Sequence, residues 1–368
     1  MDTIAIIGAS VGQRKLFVKA KELGFRTIAF AWEQGASSKD LADRFYPISI
    51  METEEIIRVC NKENVIGVVS NCSDVTAEAV SKITTKMGLR GIPYDSFLKM
   101  KNKYAMREMT SDIEELSQIW SFRYCGELPS SYPCIVKPCT GASKKGVSFV
   151  YNESDFETAI RYAKEATDGD IVVEEFIEGQ EISVESISSE GKHTVIQVTD
   201  KESTGAPHFV EIGHHQPSLL SNEIKNKIRR VVSRILDKVD FRTGASHTEM
   251  KITPDGKVYL IEVNPRGGGD EISNTLVEMS TGFDYVKAMV EVAAGCFTAQ
   301  DIQNVAYAGI YYLCAQTKDR VDFFRNADEK KWLVQKAVDT YDLSEGTSNY
   351  DRNGYLIYKS DHKVIVNE

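Results

Sequence analysis

Short apolar runs alternate with amphipathic segments along the first hundred residues of the chain. Residues 3–8 (TIAIIG) form an apolar run, and residues 14–23 (RKLFVKAKEL) follow with apolar side chains at helical spacing before a second run, RTIAFAW. The alternation continues through EEIIRVCNKE (helix), VIGVVSNC (strand) and AEAVSKITTKMGL (helix). Alternating strands and helices are typical of a parallel sheet, so residues 1–97 are predicted to form a small parallel-sheet domain.

The glycines after the first run do not follow the dinucleotide-binding pattern. Gly8 and Gly12 are separated by three residues instead of being spaced as GxGxxG. No acid ends the second strand, where a ribose-binding residue would stand. A dinucleotide site is therefore not expected in this domain.

A different pattern follows Pro93. Lys103 opens the amphipathic segment NKYAMREM, and YPCIVKPCTGASKKGVSFV then indicates a strand ending at Lys137, a loop of small residues and a second strand. Ser154 and Glu157 have the spacing of a capping box for the helix DFETAIRYAKEA. Strand, flexible loop, strand and helix in this order predict a lid over a binding site.

Long strands and one long helix make up the middle of the chain. The segment DIVVEEFIEGQEISVESIS is predicted to be a strand that breaks at Gly179, resumes, and turns back at SSEGK. GASHTEMKI and KVYLIEVN flank the turn signal TPDG and predict a hairpin. Between them, the helix SNEIKNKIRRVVSRILDKV has one apolar stripe, formed by Ile224, Ile228, Val231, Ile235 and Val239.

The predicted hairpin brings two acids together. If Asp255 and Gly256 are its two turn residues, Glu249 pairs directly with Glu262. A turn at Pro254 and Asp255 also leaves both acids on one face, because strand side chains alternate. Paired like charges destabilise a sheet by a few tenths to about 1 kcal/mol unless something positive lies between them.

A divalent cation would relieve that repulsion. Mg²⁺ prefers oxygen ligands, and Asn264 adds an amide oxygen on the face of Glu262 and Glu249. Mg²⁺ is usually shared with substrate phosphates, and the planar guanidinium of Arg266 suits the same phosphates. The alternative is a solvated strand face, against which the apolar VYLI and the glycine run argue. We predict a metal site at Glu249, Glu262 and Asn264.

Composition narrows the class of protein. With 368 residues and 41.1 kDa the chain has length for two or three domains, and 42% hydrophobic residues can supply their cores. A net charge of −10 argues against a nucleic-acid partner. The seven cysteines have no CxxC spacing, which argues against a disulfide framework or a zinc site. No apolar run reaches the roughly 18 to 20 residues of a membrane span, and Met1 leads into a strand instead of a signal peptide, so a cytoplasmic protein without a membrane partner is expected.

Five motifs in chain order resemble those of the ATP-grasp superfamily: Lys103, the VKP of Lys137 with its small-residue loop, VEEFIEGQE, the strand of Glu249, and IEVNPR. The resemblance extends from the amino terminus to about residue 295. It implies an α/β fold that begins with a parallel-sheet βαβ domain and continues as a two-lobed ATP-grasp fold. The implied divisions are an amino-terminal Rossmann-like domain (1–97), a lid lobe (98–175), a large lobe with the Mg-ATP and carboxylate site (176–298), and a small β-rich α/β module (299–368).

By this resemblance the protein binds ATP with Mg²⁺, or with Mn²⁺ in its place. Lys103 and Lys137 would contact the phosphates, and Lys137 also the adenine N7; taken singly, a lysine of this kind is more often a solvated surface residue. The loop from Thr140 to Gly146 would offer backbone N–H groups and hydroxyls to phosphate, with Ser143 and Gly146 as its candidates. Many relatives have a second glycine and a serine where this chain has Ser143 and Lys144, so the contacts of the loop stay open.

The segment VEEFIEGQE would hold the nucleoside. Glu174 would accept a hydrogen bond from the adenine amino group, the backbone of Phe176 and Ile177 would bond the purine, and Glu181 would hold the ribose hydroxyls. The alternative is an edge strand with solvated acids.

The alternation His247-x-Glu249-x-Lys251, with EIGHHQPS and NPRGGGD, resembles the branch that joins carboxylates to amines, notably the L-amino-acid ligases. That branch implies an acyl-phosphate intermediate, release of ADP and phosphate, and small-molecule carboxylate and amine substrates. Arg266 would be the catalytic residue, and the chain would act alone or as a homodimer. The implied substrate pocket contains Arg266, Gly268, Gly269, His214 and His247.

Two other classes stay open. One is an enzyme that activates bicarbonate, as carboxylases and carbamoyl-phosphate synthetases do, although the chain is short for a double-module synthetase and has no tethered biotin domain. The other is a nucleotide-binding module without catalysis. The set of Glu249, Glu262, Asn264 and Arg266 argues against it, because a binding module would not need transition-state groups.

Overall fold

Three β-sheets organise the computed structural model, which describes residues 1–141, 145–206, 208–343, 346 and 348–366. The first sheet is parallel, has the strand order β3-β2-β1-β4, and confirms the parallel arrangement predicted for the amino-terminal part. Its central strand β1 is buried along its whole length and apolar after Thr3, as expected where helices cover both faces of a sheet. The elements of this unit are β1 (Thr3–Ile7), α1 (Arg14–Glu22), β2 (Arg26–Phe30), β3 (Arg44–Tyr46), α2 (Thr53–Lys62), β4 (Val65–Val69) and α3 (Asp74–Met87).

The second sheet is formed by the segment predicted to be a lid and is called the lid sheet below. Two helices lead into it, and its strands are antiparallel in the order β5-β8-β6-β7. The helix after β7 packs Phe156, Ile160 and Ala163 against this lid sheet. The elements are α4 (Tyr94–Lys101), α5 (Lys103–Met109), β5 (Ser121–Arg123), β6 (Cys134–Pro138), β7 (Ser148–Val150), α6 (Glu153–Ala166) and β8 (Ile171–Glu175).

The capping box predicted for α6 is wrong. The helix begins at Glu153, and its cap is Asn152, whose side-chain oxygen accepts a hydrogen bond from the Ser154 N–H at 3.0 Å. Asn152 has extended backbone geometry, which directs its short amide side chain towards the first free N–H groups of the helix.

The third sheet is antiparallel, has eight strands in the order β13-β12-β9-β10-β11-β14-β16-β15, and carries most of the chain. The predicted apolar stripe of α7 packs on one face of it; Ile228, Val231, Ile235 and Val239 are buried, and Ile224 is half-buried. The strands after residue 300 extend this large sheet, while the boundary at 298/299 stays a prediction. The elements are β9 (Gln180–Ser189), β10 (Lys192–Ser203), β11 (Glu211–Gln216), α7 (Asn222–Lys238), β12 (Gly244–Ile252), β13 (Val258–Asn264), α8 (Val277–Thr281), α9 (Tyr285–Ala294), β14 (Tyr307–Leu313), α10 (Val321–Asn326), β15 (Leu333–Val338) and β16 (Gly354–Ser360).

The hairpin of β12 and β13 pairs Glu249 with Glu262, as predicted, but reaches that register by another route. The Thr253 N–H donates to the Lys257 carbonyl at 3.1 Å, so the loop between them has three residues, not two, and ends in Gly256 with φ of +77°. This loop offsets the register by one residue, and a bulge at Ile261 restores it.

The bulge decides which face Glu262 occupies. Val258 and Leu260 point to the core beneath α7, and strict alternation would direct Glu262 there as well. Because one extra residue intervenes, Val263 enters the core instead, and Glu262 lies on the opposite face with Glu249.

The amino-terminal sheet is fixed to the large sheet through α9. Val286, Met289 and Val290 of α9 share one hydrophobic cluster with Ile4 and Ile6 of β1. A side chain on Gly67 of β4 would place its Cβ 2.5 Å from the Ala293 carbonyl oxygen, so strand and helix meet at backbone distance. The carboxyl ends of β1 and β4 thereby lie beside the loop that follows β13.

No helix in the described ranges has both the length and the apolar character needed to cross a lipid bilayer.

Candidate active site

The predicted metal ligands lie on the face of the large sheet opposite α7. Glu249 accepts hydrogen bonds from Lys201 at 2.9 Å and from His247 at 3.1 Å. Glu262 accepts from the Asn264 amide at 2.7 Å, and its other oxygen lies 3.6 Å from the Lys103 ammonium. Separate cations therefore balance the two opposed carboxylates.

This donor set fits a hard divalent cation, and of its three members only Asn264 would have to change its orientation. Two carboxylates on one face, each half-exposed towards the lid, are the ligands that Mg²⁺ takes together with phosphate oxygens and water. As placed, the Asn264 amide nitrogen faces Glu262, while its oxygen accepts from Lys101 at 3.2 Å. For that oxygen to bind a metal ion, the amide group must turn over. The orientation of an amide group follows from its hydrogen-bond partners.

Lys201 is a residue of the site that the sequence analysis missed. Its ammonium lies 3.0 Å from Glu181, 3.1 Å from Glu211 and 2.9 Å from Glu249, and its side chain is buried. Burial alone would lower the pKa of Lys201, but the three carboxylates outweigh it and hold that pKa well above its ordinary value. The cation thus joins the predicted ribose-binding acid to the predicted metal ligand.

A second buried ion cluster lies where the lid sheet meets α5. Glu174 pairs with Lys137, and it also pairs with Arg107, whose Nε lies 3.2 Å from the carboxylate. Burial lowers the pKa of Lys137 and would raise that of Glu174, but Arg107 and Lys137 keep the pKa of Glu174 below its ordinary value. Nη1 of Arg107 is buried without a hydrogen-bond partner among the described residues, which marks a place for a ligand acceptor.

Phe176 and Ile177, whose backbone was predicted to bind the purine, lie in the hinge between the lid sheet and the large sheet. Part of that backbone already has partners within the protein. The Phe176 N–H donates to the Pro133 carbonyl at 3.4 Å, and the Ile177 carbonyl accepts from Lys251 at 2.9 Å. Lys251 also lies over the Phe176 ring, 4.7 Å from its centroid. For the Ile177 N–H the described part of the chain offers no partner, so this group is available to a purine.

Two residues of the loop between β6 and β7, Ser143 and Gly146, were predicted to bind phosphate. Ser143 lies outside the described residues. Gly146 has φ of +75°, and a Cβ there would lie 2.5 Å from the Ala166 Cβ and 3.0 Å from Pro138. A larger residue at position 146 would therefore clash, so close packing at the base of the loop explains this glycine.

The glycine segment after β13 packs against a buried pair of acid and histidine. The Gly268 N–H donates to Glu185 at 2.9 Å, and Glu185 also binds Nδ1 of His247. Burial would lower the pKa of His247, but Glu185 and Glu249 raise it to about 9. A Cβ on Gly268 would lie 2.7 Å from His247 Nδ1, whereas a Cβ on Gly269 would meet no atom within 4 Å. Gly268 is therefore required by packing, and Gly269 faces open space.

His214 belongs to a cluster formed partly by the end of the chain. Its Nε2 lies 3.5 Å from Glu211 and 3.6 Å from Asp270, and these carboxylates raise the pKa of the buried ring against the opposing effect of burial. Asp270 forms two hydrogen bonds to Arg352, at 2.7 and 2.9 Å. Glu211, His214 and Asp270 could by their spacing hold a metal ion, but Arg352 and Lys201 already supply the positive charge.

Arg266 lies at the edge of the same face. Its Nε donates to Asp74 at 2.6 Å, and its Nη1 donates to the Gly267 carbonyl at 3.1 Å. Asp74 also binds Lys101 at 2.9 Å, and Lys101 continues to Asn264. The predicted residues of the hairpin and the glycine segment thus lie in two neighbouring sets of polar contacts. One set joins Lys103, Glu262, Asn264 and Arg266 by way of Lys101 and Asp74. The other joins Gly268, His247, Glu249 and Glu181 by way of Glu185 and Lys201.

Known proteins of one superfamily resemble this chain. Residues 130–275 match the family described as an ATP-grasp domain. The formate-dependent phosphoribosylglycinamide formyltransferase of Nitratiruptor sp. is 24% identical over 311 residues, which cover 79% of this chain and 76% of that protein. The alanine–anticapsin ligase of Bacillus amyloliquefaciens is 24% identical over 302 residues, which cover 70% of this chain and 62% of the ligase.

A solved structure shares the fold over nearly the whole length. The L-amino acid ligase from Bacillus licheniformis superposes with a TM-score of 0.82 at 21% identity, covering 98% of this chain and 94% of that chain. Residues 130–275 of the chain therefore form an ATP-grasp domain, and the chain as a whole shares the fold of that ligase.

Proposed function

We propose that this protein is an ADP-forming ligase that activates a small-molecule carboxylate with ATP and joins it to an amine. One observation carries the proposal: the paired acids Glu249 and Glu262 meet Lys103 and Lys201 on one sheet face, with Arg266 at its edge. Opposed carboxylates surrounded by cations suit the transfer of a phosphoryl group, whose charge must be neutralised as it moves.

The nucleotide would lie between the lid sheet and the large sheet. In this arrangement the Ile177 N–H and Glu174 bond the adenine, Glu181 binds the ribose hydroxyls, and Lys103 and Lys137 bind phosphate. Lys137 is held by Glu174 in the protein alone, so its contact with phosphate requires the ammonium to turn towards the cleft. Glu249, Glu262 and Asn264 would hold Mg²⁺, which neutralises phosphate charge when bound.

Arg266 would act on the group being transferred. The substrate carboxylate attacks the γ-phosphorus, the bond to the leaving ADP oxygen breaks, and an acyl phosphate forms. A guanidinium at this position stabilises that species and then the tetrahedral intermediate, as the amine nitrogen adds to the carbonyl carbon and phosphate leaves. Gly269, which faces open space, leaves room beside it for the acyl group.

The names of the relatives support an amine as the acceptor. The alanine–anticapsin ligase and the L-amino acid ligase are named for joining amino acids, and the formyltransferase for a transfer to phosphoribosylglycinamide. We propose the amino-acid type for this chain, because two of these three relatives carry it in their names.

Trapping with hydroxylamine tests the chemistry. The enzyme is incubated with ATP, Mg²⁺, a panel of amino acids and related carboxylates, and hydroxylamine in place of the amine. We expect a hydroxamate together with ADP and phosphate. AMP and pyrophosphate in stoichiometric amounts would contradict the acyl phosphate, and ATP turnover that needs bicarbonate but no amine would favour a bicarbonate-activating enzyme.

Arg266→Ala gives the matching variant. This variant should form hydroxamate more slowly. The activation free energy should rise by roughly 2 to 4 kcal/mol, because a group that binds developing charge is lost. MgATP binding should survive, because Lys103, Lys137 and both glutamates remain. Arg229→Ala is the control, since Arg229 is an exposed arginine of α7 that contacts Asn226.

A further inference from the structure

Arg266 is held by a residue from outside the matched ATP-grasp domain. Asp74 is the first residue of α3, in the amino-terminal parallel-sheet unit, and its Oδ1 accepts from Arg266 Nε at 2.6 Å. The side chains of Asp74 and Arg266 are 17% and 16% exposed, so the pair is largely shielded from water. A hydrogen bond between opposite charges in such a place is short and directional.

The second oxygen of Asp74 is committed as well. It accepts from Lys101 at 2.9 Å, and Lys101, at the end of α4, donates to the Asn264 side chain at 3.2 Å. Asp74 therefore reaches β13 and the residues after it along two paths, one through Arg266 and one through Lys101 and Asn264. The two cations lower the pKa of Asp74 to about 2 although burial would raise it, so the carboxylate stays charged at neutral pH.

These contacts fix the plane of the Arg266 guanidinium. Nε is bound to Asp74 and Nη1 to the Gly267 carbonyl, while for Nη2 no acceptor exists within the described ranges of the chain. An arginine free of such partners has side-chain rotamer entropy to lose on binding a ligand. Because Asp74 removes that freedom beforehand, Nη2 is presented in one direction.

We propose that Asp74 is a positioning residue that orients Arg266 for the transferred phosphoryl and acyl groups. The inference rests on the proposed ligase function. It means that the amino-terminal unit completes the site, acting on the chemical step and not on nucleotide binding, since Lys103, Lys137, Glu174 and Glu181 are held by other contacts.

A purely structural role for Asp74 is the competing explanation. An acid in the first turn of a helix stabilises that helix through the helix dipole, whatever it contacts. Such a role would lower the melting temperature of a variant without changing kcat selectively. Glu78, one turn further along α3, offers the matched control, because it pairs with Lys82 at 2.7 Å and with the Tyr94 hydroxyl at 3.1 Å, away from Arg266.

The kinetic test compares Asp74→Asn, Asp74→Ala and Glu78→Gln in the full-length protein. In the hydroxylamine assay we expect kcat to fall on the order of 10-fold in Asp74→Asn and about 100-fold in Asp74→Ala, with the KM for ATP within about twofold of wild type. Glu78→Gln should keep the wild-type kcat. In an Arg266→Ala background, Asp74→Ala should have much less effect, because the two residues act through one guanidinium.

A chemical probe makes the result independent of turnover. Phenylglyoxal modifies exposed arginines, and the rate at the Arg266 peptide can be followed by mass spectrometry. Freed from Asp74, Arg266 should react several-fold faster in Asp74→Ala than in wild type or Glu78→Gln. If wild type forms no hydroxamate with ADP, the ligase proposal fails, while the modification rates still report whether Asp74 holds Arg266. Equal modification rates, or a kcat loss no larger than that of Glu78→Gln, would overturn the positioning role.

Discussion

At the scale of single residues, Glu262 links three parts of the site. It lies opposite Glu249, accepts a hydrogen bond from Asn264 at 2.7 Å, and lies 3.6 Å from Lys103 of α5. Its side chain is 26% exposed, so it faces the cleft between the lid sheet and the large sheet and not the core. A change in its charge should therefore affect the chemistry more than the fold.

We predict that Glu262→Gln lowers kcat by about 100-fold or more, because it removes a charged ligand from the proposed Mg²⁺ site while keeping an oxygen that can accept from Asn264. The measurements are ADP release at saturating ATP and a thermal unfolding midpoint, which should stay near that of wild type. Glu223→Gln, at an exposed position of α7, serves as the control. Near-normal turnover of a folded Glu262→Gln protein would remove the metal assignment.

The residues found from sequence and those missed differ in where their partners lie. Glu249, Glu262 and Asn264 belong to one hairpin, so alternation within two neighbouring strands was enough to place them together. Lys201 gathers acids from β9, β11 and β12, and that meeting depends on the order of strands in the sheet. Along the sequence, Lys201 lies in the polar stretch TDKES at the end of a strand, a position that resembles a solvated strand end.

Asp74 was missed for a related reason. It lies 192 positions before Arg266 in the chain, and their contact depends on how α9 fixes the amino-terminal sheet against the large one. An acid at the start of a helix is common, since it stabilises the helix dipole, so the residue type alone gave no signal.

At the scale of elements, the hinge depends on a glycine. Gly179 lies between β8 and β9, and a Cβ there would come within 2.5 Å of the Ile252 carbonyl oxygen of β12. Backbone cannot yield as a flexible side chain can, so any larger residue must push the hinge away from β12.

We predict that Gly179→Ala destabilises the protein by about 1 to 3 kcal/mol and raises the KM for ATP more than it lowers kcat, because Ile177 and Glu181 flank the displaced residue. Urea unfolding and ATP titrations of the hydroxamate assay measure the two effects. Gly169→Ala is the comparison, since a Cβ there would approach only the Thr167 hydroxyl, at 3.3 Å. An unchanged KM for ATP in Gly179→Ala would separate the hinge from the nucleotide site.

The elements were predicted correctly where their pattern was local. The bulge, in which one extra residue changes the register of a strand, was not predicted. The βαβ repeat, the lid order and the apolar stripe of α7 follow from period alone. The bulge at Ile261 did not, because nothing in VYLIEVN distinguishes the extra residue: its isoleucine is as apolar as its neighbours. The prediction that Glu249 faces Glu262 was right, although both two-residue turns considered for it were wrong.

At the scale of the whole molecule, the end of the chain is tied into the large sheet by buried polar contacts. His215 of β11 binds the Tyr358 hydroxyl of β16 through Nδ1 at 3.0 Å, and its Nε2 lies 3.0 Å from Glu202 of β10. Lys363 and Arg320 also approach Glu202, at 3.1 and 3.4 Å. The sequence predicted a β-rich module after residue 298. Its pairing with β11 could not be foreseen, since the residues of a strand do not identify the strand that pairs with it.

His215 should make the stability of the protein depend on pH. Burial lowers its pKa to about 4, against the opposing effect of Glu202, so the folded protein holds the neutral ring. In the unfolded chain a histidine has a pKa near 6.5, and the unfolded state therefore binds a proton first as the pH falls. Stability from the neutral ring is complete above about pH 6.5 and is lost between that pH and about pH 4.

We predict that the free energy of unfolding falls by on the order of 3 kcal/mol from this group alone between pH 7 and pH 4. Urea unfolding at intervals across this range measures it, and a His215→Gln variant should show a shallower decline, because glutamine can still accept from Tyr358 but cannot take up a proton. His362→Gln, at an exposed position near the end of the chain, should decline like wild type. Parallel curves for wild type and His215→Gln would contradict the prediction, because they would mean that the pKa of His215 is the same in the folded and unfolded states. A steeper decline for His215→Gln than for wild type would mean that the ring is charged when folded, and that the pairing with Glu202 outweighs burial.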